Sequence, residues 1–300
     1  MDVLDSAAKR LLFIINPVSG KKLVLRSITD IISIFQDAGY TTTVMVTQRA
    51  GDARVFTQKF GKDHDRIVVA GGDGSLNEVV TGLVLSGQKV PVGYIPCGST
   101  NDFARSVGLS TNVLKAAKHA VSGVATEIDI GHFGSEYFTY VAAFGMFTDM
   151  PYTTAQSFKN VIGHAAYIID GLSKIGKYNS VPMRITADGE RFTGDFLFGA
   201  ICNSTSVAGV LTLPDQLVDL EDGKFELLLI HAPDDTLELS TIVNGLLRQD
   251  YSDQNIIFRQ CSSIVIENPD LVEFSLDGER SHVYDTVQVS MLPHFLMLVH

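Results

Sequence analysis

The sequence predicts two folds in succession, an α/β domain built on a parallel sheet and then an antiparallel β-domain. Three observations carry this. Up to about residue 125, apolar β-rich runs alternate with helical patterns. Those runs are nearly continuous in apolar residues, as strands covered on both faces are. Beyond that point the texture changes to period-2 strands joined by turns.

The alternation begins with RLLFIIN (10–16), a strand, followed by the helical pattern SITDIISIFQDAG (27–39). The strand TTTVMVT (41–47) precedes the helix GDARVFTQKF (51–60), and DRIVVAG (65–71) precedes SLNEVVTGLVLSG (75–87). VPVGYIP (90–96) closes the set. In the second part MRITADGERFTGDFLFGAICNS (183–204), KFELLLIHAP (224–233) and QCSSIVIEN (260–268) read as strands and turns. Two helical patterns interrupt them. SFKNVIGHAAYIIDGLSKI (157–175) puts Phe158, Val161, Ile162, Ala165, Ile169, Leu172 and Ile175 on one stripe, and TLELSTIVNGLLRQ (236–249) is the other. Each reads as a helix covering a sheet. No internal repeat, low-complexity tract or long linker separates the parts, and the expected domains are 1–128 and 129–300, with room for the last few residues to return to the first.

With 45% hydrophobic and 19% charged residues in 300, the chain can bury a large core. LLFII (11–15) is too short for a signal-peptide core, and no apolar run approaches the roughly 18 residues of a membrane helix. Cys97, Cys202 and Cys261 are odd in number and widely spaced, so they form neither a disulfide framework nor a metal pattern. A cytoplasmic protein is expected. The net charge of −11 is uneven: residues 1–130 hold 14 Lys+Arg and 12 Asp+Glu (+2), and residues 131–300 hold 9 and 22 (−13). No basic footprint for nucleic acid exists, and the acidic half should repel phosphates unless a divalent cation intervenes.

The stretch VVAGGDGSLNEVV (68–80) carries the first chemistry. A strand that ends in Gly71-Gly72-Asp73-Gly74 and leads into a helix lets the backbone approach a ligand, with helix N-terminal amides aimed at an anion. Phosphate is the natural guest. Asp73 would serve a phosphate-bound magnesium ion or cap the helix. Two further βα junctions, NPVSGKK (16–22) and PCGSTNDFAR (96–105), fall on the same sheet edge, where ligands of parallel sheets bind. Their spacing fits neither a Walker A loop nor G-x-G-x-x-G.

These residues resemble the diacylglycerol kinase catalytic-domain family, most closely the bacterial lipid kinases related to sphingosine and ceramide kinases. The resemblance rests on NPVSG, GDA (51–53), GGDGSLNEV, PCGSTNDFAR, AAFG (142–145), NSTSVAG, LEDGKFEL and SLDGE, in the family's order along nearly the whole chain. The family's usual GGDGT is GGDGS here, which retains a hydroxyl at Ser75. The resemblance implies a nucleotide-binding α/β domain, a β-sandwich domain and an active site in the cleft between them. It implies ATP contacts from Asn16, Thr47, Gly71, Gly72, Asp73, Gly74, Ser75, Asn77 and Ser99, with Asn101 and Asp102 shaping the third loop. Taken singly, Asn16, Thr47 and Asn77 also read as a turn former, a strand end and a first-turn helix residue.

By the same resemblance the general base lies in FSLDGE, with Glu279 as proton acceptor and Asp277 as its orienting partner, or the reverse. Strand alternation would set the two carboxylates on one face, while Gly278 permits a turn. DLEDG (219–223) resembles the family's Mg2+-bearing loop, with ligands at Asp219, Asp222 and the backbone carbonyl of Lys224; a charged turn is the plain reading. The stripe of residues 158–175, with YVAAFGMFTDMPY (140–152) before it, suits either ordinary core or a cleft for acyl chains. The expected activity is transfer of the γ-phosphate of ATP to a lipid hydroxyl, best matched by diacylglycerol giving phosphatidic acid. Transient membrane contact would rest on an apolar rim, and a homodimer is compatible with the sequence. Two alternatives stand beside it: an NAD kinase-like enzyme sharing GGDG, and a non-catalytic lipid-binding or regulatory module.

Overall fold

The computed structural model describes residues 9–20, 23–146, 180–207 and 211–300. The chain divides into two compact units. One runs to Ile128 and takes in His294–His300, and the other is Asp129–Pro293.

The first unit is a parallel sheet of β1 (Lys9–Ile15), β2 (Tyr40–Val46), β3 (Arg66–Gly71) and β4 (Val92–Pro96), in the order β4-β3-β1-β2. Leu298 and Val299 add a further parallel pairing beside β4. Between the strands lie α1 (Leu23–Arg26), α2 (Ile28–Asp37), α3 (Asp52–Phe60) and α4 (Asp73–Ser86), and after β4 come α5 (Asp102–Ser106) and α6 (Val113–Ser122). β1, β3 and β4 are buried because their apolar runs are covered on both faces. Phe13 of β1 meets Phe35 of α2 edge to face, with ring centroids 5.2 Å apart, in a core that also takes Ala116, Ala117 and Ala120 of α6. The departure is β2. It lies at the sheet edge, Tyr40 is its one buried residue, and Val44 and Val46 are exposed.

α3 and α4 pack on each other closely. A Cβ on Gly82 of α4 would stand only 2.8 Å from both the Arg54 carbonyl oxygen and Thr57 Cβ of α3, so a side chain there would force the helices apart. This sets the start of α3 against the middle of α4, where Glu78 accepts from the Gly51 and Ala53 backbone N–H groups.

The second unit is antiparallel. Its strands are the latter part of β5 (Ala125–Phe133), β6 (Glu136–Phe138), β7 (Val141–Gly145), β8 (Val181–Ala187), β9 (Glu190–Cys202), β10 (Ser206–Val207), β11 (Leu211–Thr212), β12 (Phe225–His231), β13 (Ile256–Cys261), β14 (Ser263–Glu267), β15 (Ser275–Leu276), β16 (Glu279–Arg280) and β17 (Thr286–Val299) as far as Pro293. The order is β16-β15-β7-β9-β8-β14-β17, and β12 pairs with β9 and β13. β8 alternates strictly between buried and more open positions, as a strand with one covered face does. Phe133, Phe144 and Phe274 pack as an aromatic group within its core. The helical pattern near residue 240 forms α7 (Thr236–Arg248), capped by Asp235, whose carboxylate accepts from the backbone N–H groups of Leu237 and Glu238. The expected stripe of residues 158–175 lies outside the described residues, as do residues 147–152 before it.

Candidate active site

Three loops at the C-terminal edge of the first unit's sheet are tied to one another. Asn16, just after β1, donates from Nδ2 to Ser75 Oγ at 3.1 Å and accepts from Val18 N at Oδ1. Thr47, just after β2, is held to the end of β1 by its backbone N–H and its hydroxyl, both donating to the Ile15 carbonyl. Gly71 closes β3, where a Cβ would run into the Ser75 side chain and come within 3.4 Å of Asn16 Cβ. Gly72 is the N-cap of α4, and a Cβ built on Gly98 would stand 2.8 Å from its Cα. The β3 and β4 loops thus pack backbone on backbone, a closeness that only glycine permits.

Asp73 is the knot of this edge. It is buried in the first turn of α4, and its carboxylate accepts from the Asp102 backbone N–H (3.1 Å), the Tyr94 hydroxyl (3.4 Å) and the Thr100 hydroxyl (3.5 Å). Tyr94 also donates to the Gly71 carbonyl at 3.3 Å. Burial, and then the charge of Asp73, hold the Tyr94 phenol well above its ordinary range, so it stays a donor. Asn101 occupies the left-handed region (φ 51°) as N-cap of α5, and its amide both accepts from Gly98 N at 2.7 Å and donates to Gly98 O at 3.0 Å. Asp102 is buried beside it, and Ser99 is exposed at the loop tip. Asn77 stands one turn beyond Asp73 and accepts from the Thr81 hydroxyl at 3.3 Å. A loop edge so built, with α4's N-terminal amides at its centre, can take an anionic phosphate chain.

In the second unit, the acid pair takes the turn and not the strand face. Asp277 and Gly278 form the two-residue connection between β15 and β16, with φ of 52° and 90°, and Leu276 pairs across it with Glu279. Asp277 is buried, and its carboxylate accepts from Thr139 N (2.6 Å), Thr139 Oγ1 (2.8 Å), Tyr140 N (3.0 Å) and Val141 N (3.1 Å). It therefore fastens the hairpin to the chain entering β7. Glu279 is exposed, and its carboxylate makes no hydrogen bond or ion pair among the described residues.

The acidic loop is a pair of charged turns. Asp219 Oδ1 accepts from Glu221 N at 3.0 Å, Asp222 Oδ1 accepts from Lys224 N at 2.9 Å, and Lys224 Nζ lies 3.6 Å from Asp222 Oδ2. No cluster of three or more His, Cys, Asp or Glu side chains among the described residues is arranged around one point. The donor chemistry nevertheless suits a hard cation: two carboxylates, the peptide carbonyl of Lys224 and a charge excess nearby. That excess is felt by Glu226, which is buried on β12 with no hydrogen-bond partner for Oε2 among the described residues. Its carboxyl is pushed up to about 8, first by burial and then by Asp222 and Asp219.

Two anchoring residues escaped the motif reading. Tyr94 looks like core in an apolar strand, and its hydroxyl shows its use only when Asp73 is brought near. Asp129 is fully buried and accepts from Gly223 N at 2.7 Å, while its backbone N–H donates to the Leu220 carbonyl, so it pins the acidic loop. An acid flanked by two isoleucines in IDI (128–130) was the available signal.

Residues 10–133 match the diacylglycerol kinase catalytic domain. Over 274 residues the chain is 34% identical to the diacylglycerol kinase of Staphylococcus carnosus (strain TM300), a match spanning 90% of this chain and 89% of the relative. The chain belongs to the diacylglycerol kinase catalytic-domain family. A second member, the diacylglycerol kinase of Bacillus subtilis (strain 168), is 32% identical over 289 residues, 95% of each chain. Two crystal structures from Bacillus anthracis str. Sterne, one of them named as a diacylglycerol kinase, share the family's fold with this chain. They superpose with TM-scores of 0.81 and 0.76 at 22% and 21% identity, each over 99% of this chain and 98% of the other. Among the described residues, no helix is long and apolar enough to cross a membrane.

Proposed function

We propose that this chain is an ATP-dependent lipid kinase that transfers the γ-phosphate of ATP to the free hydroxyl of diacylglycerol, giving phosphatidic acid and ADP. The observation that carries it is the knot at Asp73, which joins the β3 and β4 loops around the N-terminus of α4 in a member of this kinase family. Asn16, Gly71, Gly72, Ser75 and Ser99 bound that edge and would face the phosphates. Glu279 takes the proton from the lipid hydroxyl as its oxygen bonds to the γ-phosphorus and the bond to the bridging oxygen of ADP breaks. Asp277 is its positioning residue, through the turn it fastens.

Mg2+ bound with the nucleotide would neutralise phosphate charge. Asp73 is the carboxylate of the loop edge suited to it, and Asp219, Asp222 and the carbonyl of Lys224 are the groups for an accessory cation. The substrate dissolves in bilayers, so the enzyme works at the membrane surface, where its acidic half must rely on apolar contact more than on charge. The test is transfer of labelled phosphate from ATP to lipids in mixed micelles, resolved by thin-layer chromatography. Label in phosphatidic acid is expected. Label on NAD alone, or on no acceptor while lipid still binds, would replace this reading with one of its rivals.

A further inference from the structure

The main chain has to place Glu279, because its carboxylate makes no hydrogen bond or ion pair among the described residues. That main chain has little strand support. β16 is two residues long, stands at the end of the sheet order, and pairs with β15 only through Leu276 with Glu279 and Ser275 with Arg280. So short a ladder fixes little by itself. The hairpin is held at its two ends instead, and both grips come from one stretch of chain, residues 136–141.

At the turn, Asp277 accepts from the N–H groups of Thr139, Tyr140 and Val141. At the open end the direction reverses. Glu136 on β6, three residues before Thr139, accepts at Oε2 from the His282 backbone N–H (2.9 Å) and the Tyr284 hydroxyl (3.3 Å), and His282 Nδ1 also stands 3.3 Å from it. Tyr284 is itself anchored: its hydroxyl accepts from Ser135 N at 3.2 Å, its ring meets Phe133 edge to face, and its carbonyl accepts from Asn268 Nδ2 at 3.0 Å. Glu279 therefore lies two residues after one carboxylate clamp and three before the other. We infer that Glu136 is a positioning residue for proton transfer, gripping the His282 N–H so that the hairpin presents the Glu279 carboxylate to the lipid hydroxyl. The inference rests on the proposed role of Glu279 and adds the residue that fixes its far side. A base has to stand within about 2.6–3.2 Å of the proton it takes, so a hairpin free at one end loses rate. Stability should change less, since the side chains of His282 and Glu136 are 76% and 22% exposed and water can replace the lost acceptor.

The test measures kcat on diacylglycerol and ATP affinity in full-chain variants of Glu136, alone and combined with Glu279→Gln. Glu136→Ala should lower kcat about tenfold and leave ATP affinity within about twofold. Glu136→Gln keeps an oxygen within reach of the His282 N–H and should stay within about twofold of wild-type kcat. Glu136→Asp keeps the charge but falls one carbon short, and should lose about fivefold, a check that does not depend on the alanine variant folding. With Glu279→Gln there is no base to place, so adding Glu136→Ala should slow turnover by no more than about twofold. The same tenfold loss in both backgrounds would overturn the inference, because Glu136 would then not act through Glu279. So would unchanged kcat in Glu136→Ala and Glu136→Asp, or a slow Glu136→Gln beside a normal Glu136→Asp, which would make charge and not reach the cause. Near-wild-type turnover by Glu279→Gln would remove the proton acceptor itself, and this inference with it.

Discussion

The tetrapeptide Asp-Gly-Glu-Arg occurs twice in the second unit, at 188–191 and at 277–280. Both copies turn the chain between antiparallel strands, β8 to β9 and β15 to β16, with nearly equal φ at Asp and Gly: 46° and 89° in the first, 52° and 90° in the second. The turn is thus a property of the dipeptide. What differs is the company of each carboxylate. Asp188 is exposed and accepts from Ser262 N and Ser263 N, each at 2.9 Å, and Glu190 is gripped by Arg259 through Nε at 3.1 Å and Nη2 at 3.3 Å. Asp277 is buried under four donors, Arg280 reaches away to Glu273 at 3.0 Å, and Glu279 is left without a partner among the described residues. The same four residues make a structural hairpin in one place and present an unpaired carboxylate in the other. An acid pair in sequence is therefore no proof of chemistry; an acid that nothing else uses is a better guide.

The largest expected effect is on Asp277. Asp277→Ala strands the N–H groups of Thr139, Tyr140 and Val141, and should cost about 3 kcal/mol in chemical denaturation, whereas Asp188→Ala, in solvent, should cost about 1 kcal/mol. Equal losses would dissolve the distinction between the two turns. Next is Glu226, a carboxyl that is buried where Glu279 is open. The unfolded chain releases its proton near 4.5, but the folded protein keeps it up to about 8. Between those values the folded state binds more protons, so stability falls as pH rises. From pH 6 to pH 7, in chelator, this group should cost the wild type about 1.4 kcal/mol that Glu226→Gln does not lose. A parallel pH profile for the two proteins would contradict the burial.

Smaller again is Tyr94→Phe, which removes one donor from Asp73. It should lower stability by about 1 kcal/mol and raise the KM for ATP a few-fold with kcat little changed. A fall in kcat alone would place the tyrosine elsewhere in the mechanism. The smallest is Glu190→Gln, which breaks a solvent-exposed ion pair and should change stability by less than about 0.5 kcal/mol by thermal melting.

Much of this was legible in the residues, for physical reasons. RLLFIIN, DRIVVAG and VPVGYIP read as covered parallel strands because continuous apolar runs have no other economical packing, and β1, β3 and β4 are buried accordingly. The strand TTTVMVT was read with them, yet it is an edge strand, since sheet order is a long-range outcome that a local run does not encode. Asn16 and Ser75 stood out through their motifs, but their contact with each other was not legible. The roles of Tyr94, Asp129 and Asp277 were hidden because each depends on a donor or acceptor brought close by folding, from 21 residues away for Tyr94 to 138 for Asp277. Hydrophobic pattern marks such residues as buried and says nothing of the partner.

The contrast between the two hairpins comes to a single paired measurement: turnover on diacylglycerol by Glu279→Gln and Glu190→Gln, with ATP affinity determined for both. Each change keeps shape and removes one charge at the same place in the same tetrapeptide. Glu279→Gln should turn over about 100-fold more slowly or worse while binding ATP as the wild type does, and Glu190→Gln should match the wild type in both. Near-wild-type turnover by Glu279→Gln, or equal losses in the two variants, would contradict the assignment of Glu279 as the proton acceptor.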